Sequence, residues 1–194
     1  MPFLEPFAIV ALAASAGGLN AISKVLAGLR ADFPAPLVVV QHLDRRHRSL
    51  MAEILGRRTA LAVRQAAHGE RIRSGIAYIA PPDHHLLVEP GGTLLLTRTK
   101  LVHFVRPSAD LLFESVAGSF GERAIGIVLS GTGTDGALGA KAMRETGGKL
   151  IVQDEASAEH AGMPHASRAY ADLVLPLEEI APALERLVAS RAAA

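Results

Sequence analysis

The sequence lacks cysteine and tryptophan, and aromatic residues make up only 4% of it. Without cysteine there can be no disulfide, no thiol nucleophile and no thiolate metal site. No apolar run approaches the roughly 18 residues of a membrane helix, and no basic stretch precedes the first apolar run, as it would in a signal peptide. The sequence therefore predicts a cytoplasmic protein that is not inserted in a membrane, with a core built mainly from aliphatic side chains.

An excess of charge of one sign is also missing, since 20 basic and 19 acidic residues leave a net charge of +1. This balance gives no reason to expect nucleic acid or an anionic membrane as a partner. One dense basic region is formed by Arg45, Arg46, Arg48, Arg57 and Arg58. Such a cluster is typical of a solvated helix face, and the functional alternative is a surface that attracts an acidic protein or peptide substrate in a salt-sensitive way.

The sequence does have an apolar content of 49%, ample for a core, in a chain of 194 residues, which is a usual size for one domain. Short apolar runs typical of buried strands alternate with segments of helical period. This alternation predicts a single-domain α/β fold with a mostly parallel, doubly wound sheet flanked by helices. Strands are expected at 7–14, 37–41, 125–129, 150–152 and 173–175, and helices near 19–30, 49–58, 136–146, 165–171 and 178–190.

The stretch 76–98 has a different pattern. Closely spaced turn residues, Pro81-Pro82-Asp83 and Pro90-Gly91-Gly92, separate its short apolar runs. This spacing predicts antiparallel hairpins rather than crossover helices. A helix then opens at Pro107-Ser108, with Ser108 as its predicted N-cap.

Three of the predicted strands end on a residue that is capable of acyl-transfer chemistry. Ser15 follows the first strand, His42 follows the second, and Asp135 lies in the glycine-rich loop after the strand at 125–129. Because catalytic groups in open α/β sheets lie at the carboxyl ends of the strands, these side chains are expected to meet at one edge of the sheet. A serine, a histidine and an aspartate would supply a nucleophile, a general base and the carboxylate that orients the base.

Each of these residues also has a purely structural interpretation. Ser15 can cap the helix that follows it, His42 can be a satisfied structural histidine, and Asp135 can cap the helix at 136–146. Ser15 is not in a Gly-x-Ser-x-Gly elbow, because Ala13 occupies the position of the first glycine. No His-Glu-x-x-His or comparable ligand spacing is present, so neither a metal nor a cofactor is expected.

The glycine-rich loop supports a competing hypothesis. Gly131-Thr-Gly-Thr-Asp-Gly136 matches the pattern G-x-G-x-x-G between a strand and a helix, and an acid, Asp154, ends the next strand. These features are close to the fingerprint of a dinucleotide-binding oxidoreductase. The hypothesis is weakened by the late position of this strand in the chain, and it leaves Ser15 and His42 without a role.

Several ordered motifs resemble the catalytic domain of the bacterial chemotaxis protein-glutamate methylesterases, from about residue 8 to residue 188. The motifs are Ala14-Ser-Ala-Gly-Gly18, Gln41-His42, Tyr78-Ile-Ala-Pro81 with His84, Arg106-Pro-Ser-Ala-Asp-Leu-Leu-Phe113, Gly131-Thr-Gly-Thr-Asp-Gly136, Gln153-Asp-Glu155 and Gly162-Met-Pro164. So many motifs in the family's order make the resemblance much more specific than the glycine pattern alone.

The resemblance implies hydrolysis of glutamyl methyl esters on the cytoplasmic helices of chemoreceptors, with release of methanol; family members can also deamidate receptor glutamines. It places the nucleophile on Ser15, the general base on His42 and the buried carboxylate on Asp135. Main-chain amides would stabilise the oxyanion, and the residues expected around it are Ala16, Gly17, Gly18, Thr132 and Gly133. A monomer is expected, with a separate signalling protein as a possible regulator, and a non-catalytic module that only binds receptors is a further alternative.

Three departures from the family pattern bear on activity. The family usually has Ser-Thr-Gly-Gly, where this chain has Ala16, and it has Gly-Met-Gly, where this chain has Thr132. Both residues keep a main-chain amide, so activity is expected, reduced if the missing hydroxyl assists the oxyanion. Family members commonly carry an N-terminal receiver domain, whereas this chain begins at the first catalytic strand, which implies either a stand-alone enzyme or a piece of a longer one.

Overall fold

The computed structural model describes residues 9–43 and 49–192. Arg45, Arg46 and Arg48 of the basic region, and the start of the strand predicted at 7–14, lie outside the described residues. The strands are β1 Ile9–Ala14, β2 Leu37–Gln41, β3 Ala62–Gln65, β4 Ile76–Ile79, β5 His85–Glu89, β6 Thr93–Thr97, β7 Ala124–Val128, β8 Lys149–Gln153 and β9 Leu173–Leu175. The helices are α1 Gly18–Ala27, α2 Met51–Gly56, α3 Ala109–Phe120, α4 Ala137–Glu145, α5 Gly162–Ser167 and α6 Leu177–Ala192.

The main sheet has seven strands in the order β3-β4-β2-β1-β7-β8-β9, and every neighbouring pair is parallel. This topology confirms the predicted doubly wound α/β fold. β1 lies at the centre, where Val10 pairs with Leu37 of β2 and with Ile125 of β7. All six residues of β1 are buried, which is why the strand appears in the sequence as a continuous apolar run rather than an alternating one.

The prediction of antiparallel hairpins at 76–98 is confirmed for β5 and β6 and wrong for β4. β5 and β6 form an antiparallel pair outside the main sheet. β4, by contrast, is a parallel strand between β2 and β3. Its residues Ala77, Tyr78 and Ile79 are buried, and this burial in the sheet outweighs the local turn signal that follows at Pro81. The edge strand β3 was not predicted, because its side chains are mostly exposed and form no apolar run.

The core has two parts, one on each face of the sheet. Successive side chains of a strand point to opposite faces. Val10, Leu12 and Ala14 therefore contribute to a cluster that includes residues of α1 and α6. Ile9, Ala11 and Ala13 contribute to a second cluster, with residues of α3, α4 and the β5–β6 hairpin. Burial on both faces fixes β1 firmly, so the residue that follows it has a well-defined position.

The helix ends at the carboxyl edge of the sheet differ in how they are capped. Ser108 is the N-cap of α3, as predicted, and its hydroxyl accepts a hydrogen bond from the amide of Leu111 at 3.4 Å. Gly17 and Gly136 are the N-caps of α1 and α4, and as glycines they have no side chain that could cap the helix. In the described ranges, no helix combines the length and the apolar character needed to cross a membrane.

Candidate active site

The candidate site lies where the direction of the sheet reverses. The chain leaves β1 for its neighbour β2 on one side, and only later adds β7 on the other side of β1. Such a switch point opens a crevice at the carboxyl ends of the strands. Ser15 directly follows β1, His42 directly follows β2, and the loop 131–136 comes after β7. The topology therefore brings the three predicted residues to the same edge of the sheet.

The three side chains share one cavity. The Nε2 atom of His42 donates a hydrogen bond to Oδ2 of Asp135 over 2.7 Å, and both side chains are largely buried. A cavity of about 240 Å³ is lined by Ser15, His42, His103, Val105, Thr132, Gly133, Thr134 and Asp135. Because Asp135 occupies Nε2, the Nδ1 atom is the ring nitrogen of His42 that remains for a serine hydroxyl.

Asp135 is held by the first turn of α3. Its Oδ2 atom accepts from the amide of Ala109 at 2.6 Å. Its Oδ1 atom accepts from the hydroxyl of Ser108 at 2.8 Å and from the amide of Asp110 at 3.2 Å. The interpretation of Asp135 as the cap of the helix at 136–146 is therefore wrong, because the side chain caps α3 instead. Burial raises the pKa of Asp135, but the hydrogen bonds from His42, Ala109 and Ser108 outweigh it and lower the pKa.

Asp110 is a buried partner of this site that the sequence reasoning missed. Its Oδ1 atom accepts from the amides of Gly136 and Gly139, at 2.9 and 2.8 Å, and thereby caps α4. Its Oδ2 atom lies 3.1 Å from Nε2 of His103. Asp135 on the α4 side thus caps α3, and Asp110 on α3 caps α4. Asp110 stands in the 106–113 motif, but only the tertiary contact reveals what it does.

The loop after β1 is fixed by Gln41. The carbonyl of Ser15 accepts from Nε2 of Gln41 at 2.6 Å and from the amide of Gly18 at 2.8 Å. Because C=O and N–H point in opposite directions across a trans peptide, the amide of Ala16 is directed away from these donors. Ser15 is not the cap of α1, since Gly17 occupies that position.

Glycine is required at both positions that follow Ala16. Gly17 has a φ of +75°, which disfavours any other residue, and a Cβ there would come within 2.7 Å of Oγ of Ser130. A Cβ on Gly18 would collide with the side-chain amide of Gln41. The two glycines therefore let the loop pass close to Gln41 and Ser130, with Ser15 at the mouth of the cavity.

The loop after β7 is tied to α5 and the segment before it. The amide of Gly131 donates to the carbonyl of His160 at 2.9 Å, and the carbonyl of Gly131 accepts from Met163 at 2.8 Å. Between these anchors, the amide of Thr132 donates to no described residue, and neither does the amide of Ala16. Within the described part of the chain, both predicted oxyanion donors are therefore free to bind a ligand.

A second cavity lies on the other side of Ser15. It has a volume of about 340 Å³ and is lined by Ser15, Gly17, Gly18, Leu19, Asn20, Gln41 and Arg58. The guanidinium of Arg58 lies 3.4 Å from the hydroxyl of Ser23. Among the described arginines of the basic region, Arg58 therefore lines a cavity together with Ser15.

His103, Asp110 and Asp135 place potential metal-ligating atoms within 4.8 Å of one another. Main-chain amides already bind both carboxylates, and Asp135 also accepts from Ser108 and His42. Helix capping accounts for the position of both acidic side chains, so the cluster has a structural explanation that does not involve an ion.

The fold and this arrangement define a doubly wound α/β protein with a serine, a histidine and an aspartate at its switch point. The family model described as CheB methylesterase matches residues 10–184. The chain therefore belongs to the CheB methylesterase family, as the sequence motifs indicated.

Individual relatives agree with this membership. A protein-glutamate methylesterase/protein-glutamine glutaminase of Burkholderia lata is 44% identical over 181 residues, which are 92% of this chain and 54% of the relative. A putative enzyme of the same description from Leptospira interrogans is 38% identical, and the match covers 92% of this chain and 93% of the relative. The crystal structure of the Thermotoga maritima CheB methylesterase catalytic domain superposes with a TM-score of 0.89 at 33% identity, covering 93% of this chain and 98% of that one.

The chain thus spans about half the length of the Burkholderia relative. The comparisons support the methylesterase interpretation and not the oxidoreductase alternative for the glycine loop. In the structure, Asp135 of that loop is bound to His42 and to α3 rather than left at the mouth of a nucleotide site.

Proposed function

We propose that the chain hydrolyses γ-methyl esters of glutamate residues on the cytoplasmic helices of chemoreceptors and releases methanol. The observation that best supports this proposal is the hydrogen bond of 2.7 Å between His42 and Asp135 beside the cavity that Ser15 lines. In a member of the CheB methylesterase family, this arrangement has the components of a serine hydrolase. The relatives described above carry names that state the same activity.

In the first half of the proposed reaction, Oγ of Ser15 attacks the ester carbonyl while Nδ1 of His42 takes its proton. Asp135, bound at Nε2, holds the imidazole in the required tautomer and stabilises the imidazolium that forms. The tetrahedral intermediate then collapses. The carbon–oxygen bond to the methoxy group breaks, His42 returns the proton, and methanol leaves behind an acyl-enzyme on Ser15.

In the second half, a water molecule replaces methanol as the partner of His42. The imidazole takes a proton from this water, whose oxygen attacks the acyl carbon. Collapse of the second intermediate breaks the bond to Oγ, and His42 returns the proton to Ser15. The product is a glutamate side chain, and the enzyme is regenerated without any cofactor.

The negative oxygen of both intermediates would be stabilised by the amides of Ala16 and Thr132. Their positions flank Ser15 and Asp135, and neither amide is engaged by a described residue. Gly133, where a Cβ would meet nothing within 4 Å, would leave room for the substrate beside them. Losing one such donor costs about 10²–10³ in rate where it is critical. The alanine at position 16 removes a side-chain hydroxyl but keeps the main-chain donor.

The same acyl-enzyme can form from a glutamine side chain, with ammonia as the leaving group in place of methanol. The Burkholderia and Leptospira relatives are described as glutaminases as well as methylesterases. We therefore include receptor glutamine deamidation in the proposal. We also propose that the chain acts in the cytoplasm, since its substrate helices would lie there. We propose further that it acts as a monomeric catalytic domain.

The proposal is tested by methanol release from a methylated receptor fragment, with wild-type protein beside Ser15→Ala. The alanine variant should retain its circular dichroism spectrum and lose about 10⁴-fold or more in turnover, because the nucleophile is removed. Unchanged turnover would contradict the assignment of Ser15. A serine-directed phosphonate should label wild-type protein, and receptor binding without such labelling would indicate a non-catalytic binding module.

A further inference from the structure

Several exposed apolar side chains stand close along the chain to residues that line the two cavities. Within the described residues, those of large size are Leu19, Leu43, Leu50, Leu101, Phe104, Leu138, Leu173 and Val174. Single exposed apolar residues are ordinary on protein surfaces, but a group of them around a cleft indicates an interaction site. We call Leu19, Leu43, Phe104 and Leu138 the apolar collar.

Each member of the apolar collar lines one of the two cavities or stands within three residues of one that does. Leu19 itself lines the cavity on the α1 side of Ser15. Leu43 directly follows His42, and Leu138 lies in the first turn of α4, three residues after Asp135. Phe104 stands between His103 and Val105, which both line the cavity of the three site residues. The apolar collar is therefore linked along the chain to residues of both cavities.

Phe104 is the most exposed member, at 93%. It stands at the tip of a tight turn closed by main-chain hydrogen bonds of 3.2 and 2.9 Å between Val102 and Val105. His103 and Phe104 both have positive φ values, 48° and 64°, and Nε2 of His103 is tied to Asp110. The turn thus fixes the backbone of Phe104 and presents its ring to solvent beside the cavity, which limits the backbone entropy lost when a partner covers it.

The chemistry of the proposed reaction determines what must cover the apolar collar. Only three single bonds separate the Cα atom of a glutamate from its ester carbonyl. That carbonyl has to reach Ser15, which is partly buried at the end of β1. The helix that carries the ester is about 10–12 Å wide with its side chains. Its backbone must therefore come down onto the rim of the cavity, and the side chains one turn away must contact that rim.

We propose that the apolar collar is the docking surface for an amphipathic helix whose apolar side chains lie one turn from the esterified glutamate, with Phe104 as its main contact. This inference rests on the proposed function and adds a rule of substrate choice to it. The enzyme recognises the neighbours of the ester by burying them. Attraction of an acidic substrate by the basic region is the competing explanation, and the two differ in their response to salt.

The test uses two soluble helical peptides of about 20 residues, a length that can hold a helix. Each carries one glutamyl γ-methyl ester. In one peptide leucine stands four residues before and three residues after the ester, where helical side chains share a face; in the other, glutamine replaces both leucines and keeps the helical propensity. Methanol release gives kcat/KM for each peptide, and their ratio does not depend on the fraction of active enzyme.

Wild-type protein should prefer the leucine peptide by about tenfold, the scale expected when part of a phenylalanine side chain is buried. Phe104→Ser should bring the ratio close to one, Phe104→Leu should restore part of it, and Leu138→Ser should lower it. Leu173→Ser is the matched control, since Leu173 is an exposed leucine on the edge strand β9, outside the apolar collar. Its ratio should equal that of wild type. Raising sodium chloride from about 0.05 M to about 0.5 M should leave the ratio unchanged.

A wild-type ratio of one, a ratio that survives Phe104→Ser, or an equal loss in Leu173→Ser would overturn the docking proposal. A kcat/KM that falls steeply and equally for both peptides in salt, with a ratio near one, would favour recognition by charge and would overturn it as well. Failure of the proposed function has a different signature, because wild-type protein would then release methanol from neither peptide. That result would remove the basis of the docking proposal too.

Discussion

Two buried carboxylates, Asp135 and Asp110, occupy equivalent positions in this molecule and have different properties. Each accepts two main-chain amides at the start of a helix, Asp135 from α3 and Asp110 from α4. Each also lies beside a histidine, His42 at 2.7 Å and His103 at 3.1 Å. The pKa of Asp135 is nevertheless lowered, while the pKa of Asp110 is raised.

The difference lies in the donors that surround each carboxylate. For both, burial acts to raise the pKa, because it disfavours the charged form. For Asp135, the close bond to His42, the amide of Ala109 and the hydroxyl of Ser108 together overcome this effect. For Asp110, the amides of Gly139 and Gly136 lower the pKa but do not overcome burial, and the negative charge of Asp135 raises it further. Helix capping alone therefore positions a carboxylate, whereas additional donors keep it ionised for a role in the site.

The largest expected difference between Asp135 and Asp110 is in their effect on turnover. The variant Asp135→Asn tests it. An asparagine keeps an acceptor at the position of Oδ1 for Ser108 and for the amide of Asp110, while the amide of Ala109 loses Oδ2 as its acceptor. The asparagine NH₂ group would donate to Nε2 of His42 and leave the ring proton on Nδ1, so the imidazole could not accept the proton of Ser15. Turnover should fall by about 10⁴-fold, as it does in other Ser-His-Asp sites. Methanol release from a methylated receptor fragment measures this loss.

The thermal unfolding temperature of Asp135→Asn serves as the control, because a small shift would separate lost chemistry from lost structure. If turnover stayed within tenfold of wild type in a folded protein, Asp135 could not be the group that sets the tautomer of His42. Asp135 and Asp110 would then differ in pKa but not in their role in turnover.

The contrast also shows what the sequence could and could not reveal. Ser15, His42 and Asp135 could be found because each follows a strand that is buried on both faces, and such strands appear as continuous apolar runs. Asp110 has no such mark. It lies within the first turn of α3, and its partners Gly136 and Gly139 are 26 and 29 residues away along the chain. Its role depends on how two helices meet, which local patterns do not encode.

The errors in the strand prediction have a similar origin. β4 was assigned to a hairpin because of the turn residues that follow it, yet its pairing with β2 and β3 is decided by burial in the sheet. β3 is an edge strand with mostly exposed residues, so it lacks the apolar run that marked β1 and β2. Periodicity therefore predicted the central strands and the site they carry, and it failed where a strand depends on its neighbours.

A smaller effect is expected on stability, in two substitutions of Asp110. Asp110→Ala removes the cap of α4 and leaves the amides of Gly136 and Gly139 without an acceptor, which should cost about 1–2 kcal/mol of unfolding free energy. Asp110→Asn retains an oxygen for both amides and should cost much less. Turnover in both variants should remain within about tenfold of wild type, since Asp110 would act only through the position of α4. Urea unfolding and methanol release together test the pair. Equal losses of stability in the two variants would mean that the charge, rather than the cap, is what matters at this position.

The smallest expected effect is the pH dependence of that same pair. The pKa of Asp110 is raised in the folded protein above the ordinary value of 3.8, first by burial and then by the charge of Asp135, while amide bonds and His103 act in the opposite direction. Between the ordinary and the folded value, the folded state binds more protons than the unfolded state, so the contribution of Asp110 to stability is lost as the pH rises through the folded value. Asp110→Asn cannot titrate at this position, whereas Asp135, whose pKa is lowered, is present in both proteins. The unfolding free energy of Asp110→Asn should therefore improve relative to wild type as urea titrations move from about pH 4 to about pH 7. A difference that stays constant or moves in the opposite direction would mean that the amides of α4 stabilise the Asp110 carboxylate as strongly as the donors of α3 stabilise Asp135.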